Sequence, residues 1–372
     1  MLQFVVPCLL GLESLVGDEV KKLGLREVRV ENGRVLCQGE EKDIARLNIN
    51  LRCGARVLLV LNTFRALDFE ALFQGTKAVA WEDWIPQNGA FPVTGYSINS
   101  TLHSVPACQS IVKKAVAERL GQVYGLTLLP EDGKKSQIRF SIMKDEVMLC
   151  LDTSGEGLYK RGYRAVGVAA PLRETLAAAM VKLAHYNGRD PFCDPFCGSG
   201  TIAIEAAMIA RNRAPGLNRS FAAQQWEMLG GNIWMDAAEE AQDLEFHGKY
   251  EIWGGDIDPE AIAIARHNAE LAEVDDIVRF EVDDATRFHW GGQYGRVVTN
   301  PPYGERLMEK REAEELYRAF GAAVRKLPDD WRVYVLSSHT EFERCFGRGA
   351  DRRRKLYNGM LRCDLFMYGK RV

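Results

Sequence analysis

Apolar and polar residues follow two different spacings over the first sixty positions. Short runs with alternating apolar residues predict β-strands, whereas longer runs with apolar residues three and four positions apart predict helices. The expected strands cover residues 3–6, 27–30 and 34–37, and the expected helices cover 12–23 and 41–48. This mixture predicts a small α+β unit over residues 1–60.

A second α+β pattern covers residues 61–155. Its strands are expected at 56–62, 92–98, 137–142 and 146–152, with a long helix at 106–124. The last two strands flank a Lys144-Asp145 turn and therefore predict a hairpin. Residues 156–170 contain several glycines and few apolar runs, so we expect a linker there.

From residue 171 to residue 372, strands and helices alternate, which is typical of a parallel sheet with helices on both faces. Strands are expected at 192–193, 252–253, 278–282, 297–299, 333–336 and 365–368, and helices at 201–210 and 261–271. Asp258 is expected to cap the second of these helices, with Pro259 at its first position. The predicted fold is α/β, with a Rossmann-like, doubly wound and mostly parallel sheet behind the two α+β units.

Composition narrows the class of protein. The chain has 372 residues, of which 47% are hydrophobic, so it can form two or three domains with ordinary cores. No stretch approaches the roughly twenty apolar residues of a membrane span. Nine scattered cysteines without a CxxC pair and six isolated histidines indicate a reducing cytoplasm and no metal site. The sequence gives no sign of an obligate protein partner.

Charge is unevenly distributed. The net charge of −3 argues against a nucleic-acid partner. From residue 344 onward, however, the sequence contains nine lysines and arginines and only two acidic residues. A run of cations can bind phosphates, although it can equally be a solvated face. The candidate phosphate-binding residues in this run are Arg352, Arg353, Arg354 and Lys355.

A glycine turn at 194–201, which reads DPFCGSGT, lies between an expected strand and an expected helix. Gly198 and Gly200 belong to a GxGxxA pattern that lets the backbone approach a bound nucleotide at the end of a strand. Alone, the pattern fits NAD, FAD, S-adenosylmethionine or a tight turn without a ligand. Asp194 favours S-adenosylmethionine, because a carboxylate there would repel a pyrophosphate and attract the methionine ammonium group.

Two further acidic residues follow the next strands. Asp256 ends the second strand, where a carboxylate can accept from both ribose hydroxyls. It lies more than fifty residues beyond the glycines, whereas about twenty is usual. An insertion over residues 211–248 accounts for the excess, and it could be a lid, a substrate contact or decoration. Asp284 follows the third strand and could accept from an adenine amino group, with Asp283 as a neighbouring alternative.

The tetrapeptide at 300–303 reads NPPY and directly follows an expected strand. Because Pro301 and Pro302 each restrict the preceding residue to extended geometry, the acceptors there have fixed directions. The side-chain oxygen of Asn300 and the carbonyl of Pro301 could both accept from one NH2 group, and the Tyr303 ring offers a face for a flat base. The segment therefore predicts a cradle for a planar exocyclic amine.

The segments at 194–201, 255–259 and 300–304 together resemble the class I S-adenosylmethionine-dependent methyltransferases that act on base amines. Four others, GLES at 11–14, RGYR at 161–164, APLRETL at 170–176 and APGLNR at 214–219, resemble the THUMP-domain bacterial 23S rRNA guanine-N2 methyltransferases. The resemblance implies a ferredoxin-like subdomain at 1–60, an RNA-binding THUMP domain at 61–155 and S-adenosylmethionine as cofactor.

The resemblance also implies roles for individual residues. Those expected at the cofactor are Asp194, Gly198 and Gly200 at its methionine, Asp256 at its ribose, Asp284 at its adenine, and Glu174 and Thr175 along the pocket. Those expected at the target base are Asn300, Pro301, Pro302 and Tyr303, and Arg161 and Arg164 are expected to contact RNA. Glu174 and Thr175 could equally be helix-surface residues.

The expected function is methylation of an exocyclic base amine in RNA, at guanine N2 of 23S rRNA. Adenine N6 in RNA or DNA is the chief alternative, because both bases present an NH2 group. An NAD-dependent oxidoreductase would explain the glycines and Asp256 but not the NPPY segment. A non-catalytic RNA-binding factor would explain the N-terminal units and the basic run without requiring a cofactor pocket.

Overall fold

A computed structural model describes residues 1–164, 172–303 and 310–369. Several expectations from the sequence concern residues outside these ranges. They are the end of the predicted linker at 165–170, the first two residues of the segment at 170–176, Gly304 after the NPPY segment, and the cations Lys370 and Arg371.

The N-terminal part forms one mixed sheet of seven strands in the order β2-β3-β1-β4-β7-β6-β5. Its strands are β1 (Leu2–Pro7), β2 (Arg26–Glu31), β3 (Arg34–Gly39), β4 (Leu58–Arg65), β5 (Val93–Ile98), β6 (Ile138–Met143) and β7 (Glu146–Asp152). Its helices are α1 (Glu13–Lys22), α2 (Lys42–Asn50), α3 (Phe69–Lys77) and α4 (Val105–Tyr124). Because β4 pairs antiparallel with both β1 and β7, the two α+β patterns share a continuous sheet.

The C-terminal part forms a second sheet of seven strands in the order β10-β9-β8-β11-β12-β14-β13. Its strands are β8 (Phe192–Asp194), β9 (Ile252–Asp256), β10 (Val278–Val282), β11 (Arg296–Thr299), β12 (Arg332–Ser337), β13 (Arg352–Asn358) and β14 (Leu361–Tyr368). Its helices are α5 (Glu174–Leu183), α6 (Thr201–Ala210), α7 (Ile233–Asp243), α8 (Pro259–Leu271), α9 (Lys310–Val324) and α10 (Phe342–Phe346). Among the described residues, none of the helices combines the length and the apolar composition that a membrane span needs.

The predicted doubly wound sheet is confirmed. β8 to β12 are mutually parallel, β14 is antiparallel to β12, and β13, which is antiparallel to β14, runs in the same direction as β12. Adjacent residues of β11 belong to two different hydrophobic cores, with Val298 on the side of α5, α6 and α8 and Val297 on the side of α9 and α10. From β8 the chain builds outward to β9 and β10, and then returns to place β11 on the other side of β8. Ligands bind at the carboxyl ends of the strands at such a reversal point.

β13 differs from the sequence-based expectation, which treated its basic residues only as a charged run. Leu356 is fully buried, and Arg354 donates to the carbonyl of Gly11 in the N-terminal part. Gly11 has φ +91°, and a Cβ there would lie 3.0 Å from the Lys355 carbonyl oxygen, which explains the glycine at this position. β13 is therefore an edge strand that docks against the turn before α1.

The insertion over residues 211–248 holds the two halves of the molecule together. Its Arg219 donates to the carbonyls of Gly157, at 2.7 Å, and Lys160, at 2.8 Å. From α7, Glu240 forms an ion pair of 2.8 Å with Arg46 in α2. These contacts join the insertion to the linker and to α2, and they do not distinguish among a lid, a substrate contact and decoration.

A buried polar cluster lies where the N-terminal part meets α6. Arg161 is 3% exposed and pairs with Glu205 of α6 at 3.3 Å, while Tyr163 donates to the same carboxylate at 3.2 Å. Arg161 also donates to the carbonyls of Leu158 and Arg52, at 2.7 and 2.5 Å. The prediction that Arg161 contacts RNA is corrected by this position, because the guanidinium is enclosed by protein acceptors.

The substitution Arg161→Ala should lower the free energy of unfolding by about 3–5 kcal/mol, because it leaves the buried Glu205 carboxylate without its cation. Chemical denaturation of the two proteins measures this difference. Lys160→Ala is the matched control, because the neighbouring Lys160 forms an exposed ion pair with Glu156. The control should change stability by no measurable amount. Equal effects of the two substitutions would show that the buried cluster does not stabilise the fold.

Candidate active site

The glycine turn between β8 and α6 is fixed by hydrogen bonds to the end of β9. The Gly198 amide donates to the Asp256 carboxylate at 2.9 Å, and the Cys197 amide donates to the Gly255 carbonyl at 2.9 Å. Gly198 and Gly200 have φ of +50° and +85°, a region that favours glycine. These bonds bring the turn and Asp256, which are far apart in sequence, to one edge of the sheet.

The two glycines have different surroundings. A Cβ at Gly200 would lie 2.8 Å from the Phe280 ring and 3.0 Å from Ala265, so Gly200 permits close packing beneath the turn. A Cβ at Gly198 would meet no heavy atom of the described residues within 4 Å. Gly198 therefore faces open space, on the side where a ligand can approach the backbone.

Asp194 is fully buried at the end of β8. Its Oδ1 accepts from the Thr299 hydroxyl at 2.6 Å and from the Phe196 amide at 3.3 Å. Within the described residues its Oδ2 has no hydrogen-bond partner. Burial raises the pKa of Asp194 to about 7, although the bond from Thr299 opposes this effect. A buried carboxylate with one unpaired oxygen can accept from a cationic ligand, which is what the methionine end of S-adenosylmethionine offers.

Asp256 is the last residue of β9, and Asp284 follows the end of β10 by two residues, as predicted. The Asp256 carboxylate is half-buried, and besides Gly198 it accepts from the Asp258 amide at 3.0 Å. Asp284 accepts from the backbone amide and the hydroxyl of Thr286, at 2.9 and 2.7 Å, and these bonds lower its pKa. Both carboxylates are thus held in fixed orientations at the edge of the sheet where β9 and β10 end. Asp258 caps α8 by accepting from the Glu260 amide, so Asp256 is free of that task.

Glu174 and Thr175 begin α5 and are buried, not on a solvent-exposed helix surface. Glu174 pairs with Arg164 at 3.3 Å, and burial raises the pKa of Glu174. Arg164 also donates to the Thr201 hydroxyl at 2.7 Å, and Thr201 is the first residue of α6. The prediction that Arg164 contacts RNA is not supported by this arrangement, because the side chain holds α5 against the glycine turn.

The NPPY segment leaves the sheet directly beside Asp194. Thr299, the last residue of β11, makes the 2.6 Å bond to Asp194, and Asn300 follows it. On the other side, the Tyr317 hydroxyl of α9 donates to the Pro302 carbonyl at 2.5 Å. The segment is therefore held at both ends, and Asn300 directly follows the residue that contacts Asp194.

Tyr303 lies in a small network of polar side chains. Its hydroxyl donates to the Asn300 side-chain oxygen. The same Tyr303 hydroxyl contacts the side chain of Asn358 and lies 3.8 Å from the Cys363 thiol. Burial raises the pKa of Tyr303 well above its ordinary value, so the hydroxyl keeps its proton. The contact orients the Asn300 carboxamide, whose oxygen has a second lone pair for another donor.

The four candidate cations of β13 have different environments. Arg352 and Lys355 are exposed. Arg353 pairs with Glu343 and lies over the Phe366 ring, at 5.5 Å from its centre, and Arg354 bonds to Gly11. Arg352 and Lys355 thus remain predicted RNA contacts, whereas Arg353 and Arg354 already have protein partners.

Sequence reasoning missed three residues that shape this site. Thr299 connects the NPPY segment to Asp194, Tyr317 donates to the Pro302 carbonyl, and Asn358 bonds to Tyr303. Thr299 carried a weak signal, because a threonine at the end of a buried strand needs a partner for its hydroxyl. Tyr317 and Asn358 carried none, because they reach the site from distant segments of the chain.

Comparison with known proteins agrees with this geometry. The model of the RMKL-like methyltransferase domain matches residues 161–366, that of the RlmL ferredoxin-like domain matches residues 3–58, and that of the THUMP domain matches residues 66–152. The chain is 43% identical to YpsC of Bacillus subtilis (strain 168), a candidate RNA methyltransferase, over 98% of this chain and 94% of YpsC.

Two further proteins are similar over essentially the whole chain. The ribosomal RNA large subunit methyltransferase K/L of Psychromonas ingrahamii is 32% identical over 99% of this chain, which spans only 50% of that relative. The structure of SMU.472, a candidate methyltransferase complexed with SAH (S-adenosylhomocysteine), superimposes with a TM-score of 0.92 at 39% identity, over 100% of this chain and 99% of that one.

These matches confirm the predicted ferredoxin-like and THUMP domains and the predicted cofactor, S-adenosylmethionine. The chain belongs to the family of RMKL-like methyltransferase domains.

Proposed function

We propose that this protein transfers the methyl group of S-adenosylmethionine to the exocyclic N2 amine of a guanine in 23S rRNA, in the cytoplasm. The observation that carries the proposal is the bond between Thr299 and Asp194, which joins the NPPY segment to the cofactor edge. The THUMP domain supports an RNA substrate, and the K/L relative, named for the large ribosomal subunit, supports 23S rRNA.

On the cofactor side, bound S-adenosylmethionine supplies a methyl group that its sulfonium already activates. The unpaired Asp194 oxygen would accept from the methionine ammonium group, and the open side of Gly198 leaves room beside it. Asp256 would accept from the ribose hydroxyls and Asp284 from the adenine amino group. These residues fit the cofactor because each acceptor is already fixed by backbone or hydroxyl donors.

On the substrate side, the residues of the NPPY segment orient the base amine toward the methyl group. A base amine is a poor nucleophile because its lone pair is delocalised into the ring. Acceptors at Asn300 and Pro301 would bind the two N–H bonds, direct the lone pair toward the methyl group and stabilise the positive charge that develops on nitrogen. The methylated nitrogen then loses its extra proton to water, so no general base is needed for the transfer itself. The target must be an unpaired or extruded nucleotide, because a base inside a helix cannot enter the site.

The substitution Asn300→Ala should abolish methyl transfer while leaving the affinity for S-adenosylhomocysteine nearly unchanged, because Asn300 serves the amine and not the cofactor. Methyl incorporation into rRNA and calorimetry measure the two quantities. Asn187→Ala, at an exposed asparagine outside the site, is the matched control and should retain activity. Full methylation by the Asn300 variant would contradict the proposed orientation mechanism.

Cofactor affinity should depend on pH through Asp194. The pKa of Asp194 is about 7 in the protein without ligand, and the ammonium group of the cofactor requires the ionised carboxylate. Below that pKa, binding must release a proton, so affinity for S-adenosylhomocysteine should rise about tenfold from about pH 6 to about pH 8 and then level off. Calorimetry across this range tests the expectation. The Asp194→Asn variant should bind weakly with a flat profile, and an equally flat profile in the unmodified protein would exclude this role.

Mapping of modified nucleosides tests both the substrate and the base. Mass spectrometry of rRNA from cells without this protein should show loss of N2-methylguanosine at one position of 23S rRNA. Loss of N6-methyladenosine instead would favour the adenine alternative, which the acceptors at Asn300 and Pro301 do not discriminate against. Unchanged rRNA would contradict the proposed substrate.

A further inference from the structure

The β13–β14 hairpin ends in a tight turn. Asn358 pairs with Leu361, so Gly359 and Met360 are the two residues of the turn. Gly359 has φ +65°, and glycine at the first central position suits the two-residue turns that match the twist of antiparallel strands. The turn therefore presents the side chain of Met360 from a defined backbone conformation.

This turn projects beyond the edge of the sheet that carries the site. Ser337, the last residue of β12, pairs with Asp364, so residues 361–363 of β14 extend past the carboxyl end of β12. Three residues of strand add roughly 10 Å. β11 runs parallel to β12, so Asn300 leaves the sheet at the same edge. The hairpin tip thus overhangs the candidate active site.

Contacts near the base of the turn connect it to Tyr303. The side chain of Asn358 interacts with the Tyr303 hydroxyl, and the Cys363 thiol lies 3.8 Å from the same oxygen. Asn358 and Leu361 are half-buried, whereas Met360 is 99% exposed. The fold gains no hydrophobic stabilisation from a side chain in that position. Exposure alone is common on protein surfaces, but Met360 lies only two residues from Asn358, which contacts Tyr303 of the NPPY segment.

The charge around the turn favours RNA as the occupant. Lys355 and Arg362 are exposed on the two strands of the same hairpin, and such cations bind phosphates. A single apolar side chain beside cations does not form the contiguous apolar patch of a protein interface. It does match the wedges that nucleic-acid-binding proteins insert between stacked bases.

We propose that Met360 inserts into the target RNA and fills the space that the extruded nucleotide leaves. The inference rests on the proposed function, because it requires that a base leave its stack to reach Asn300. Removal of a base from a stack is unfavourable, and an apolar side chain in the vacated position prevents its return. Met360 is then a positioning residue, which does not touch the reacting atoms.

Fluorescence of 2-aminopurine tests the proposal without methyl transfer. The probe replaces the target guanine in an rRNA fragment that spans the mapped site, and its emission rises when it leaves the stack. With S-adenosylhomocysteine present, the unmodified protein and Met360→Leu should raise the emission, and Met360→Ala should not. Met235→Ala, at an exposed methionine of α7, is the matched control and should behave like the unmodified protein.

Rates on the guanine-containing fragment give the second readout. Met360→Ala should lower kcat/KM about tenfold or more, because no side chain then fills the space left by the unstacked base. Met360→Leu should retain most of the unmodified kcat/KM. If the unmodified protein methylates the fragment but the Met360→Ala variant has the same rate or the same emission, the proposed insertion of Met360 is wrong and the proposed function stands. If the unmodified protein methylates no RNA, both the proposed function and the proposed insertion of Met360 are wrong. If an active unmodified protein does not raise the emission, the proposed insertion of Met360 is also wrong.

Discussion

The site depends on the hydrogen bond between the Thr299 hydroxyl and the Asp194 carboxylate. This bond exists because β8 and β11 are parallel neighbours, so that two residues 105 positions apart end their strands side by side. It connects the end of β8 to the NPPY segment and fixes one oxygen of Asp194, while the other remains unpaired among the described residues. Burial raises the pKa of this carboxyl to about 7, so its ionised form is unfavourable as long as no cation neutralises it.

Helix α6 joins this site to the N-terminal domains. It begins at the glycine turn, where Arg164 bonds to Thr201, and its buried face carries Glu205, which pairs with Arg161. Arg161 in turn bonds to the carbonyl of Arg52 in the N-terminal part. One helix therefore contacts both the glycine turn and the buried polar cluster around Arg161. The ion pair between Glu240 and Arg46 and the contact between β13 and Gly11 add further bonds between the C-terminal part and residues 1–60.

Local patterns predicted the described core of the methyltransferase sheet well. The helix at Thr201–Ala210 was expected to be buried from its nearly continuous apolar sequence, and nine of its ten residues are buried. The pattern failed at β13, because arginine and lysine side chains give no apolar alternation even where their backbone pairs along an edge. It failed again at Arg161, because a sequence does not show whether a cation meets water, phosphate or a carboxylate that lies 44 residues further along the chain.

The sequence by itself determined the order of domains, the glycine turn, the acidic residues at the strand ends and the NPPY segment. Each of these depends on residues that are close along the chain, where φ restrictions, capping and strand periodicity act. Only the tertiary structure decided which of these groups meet. The Thr299 bond, the Tyr317 and Asn358 contacts and the overhang of the β13–β14 turn all join distant segments, and their partners are selected by strand order and packing.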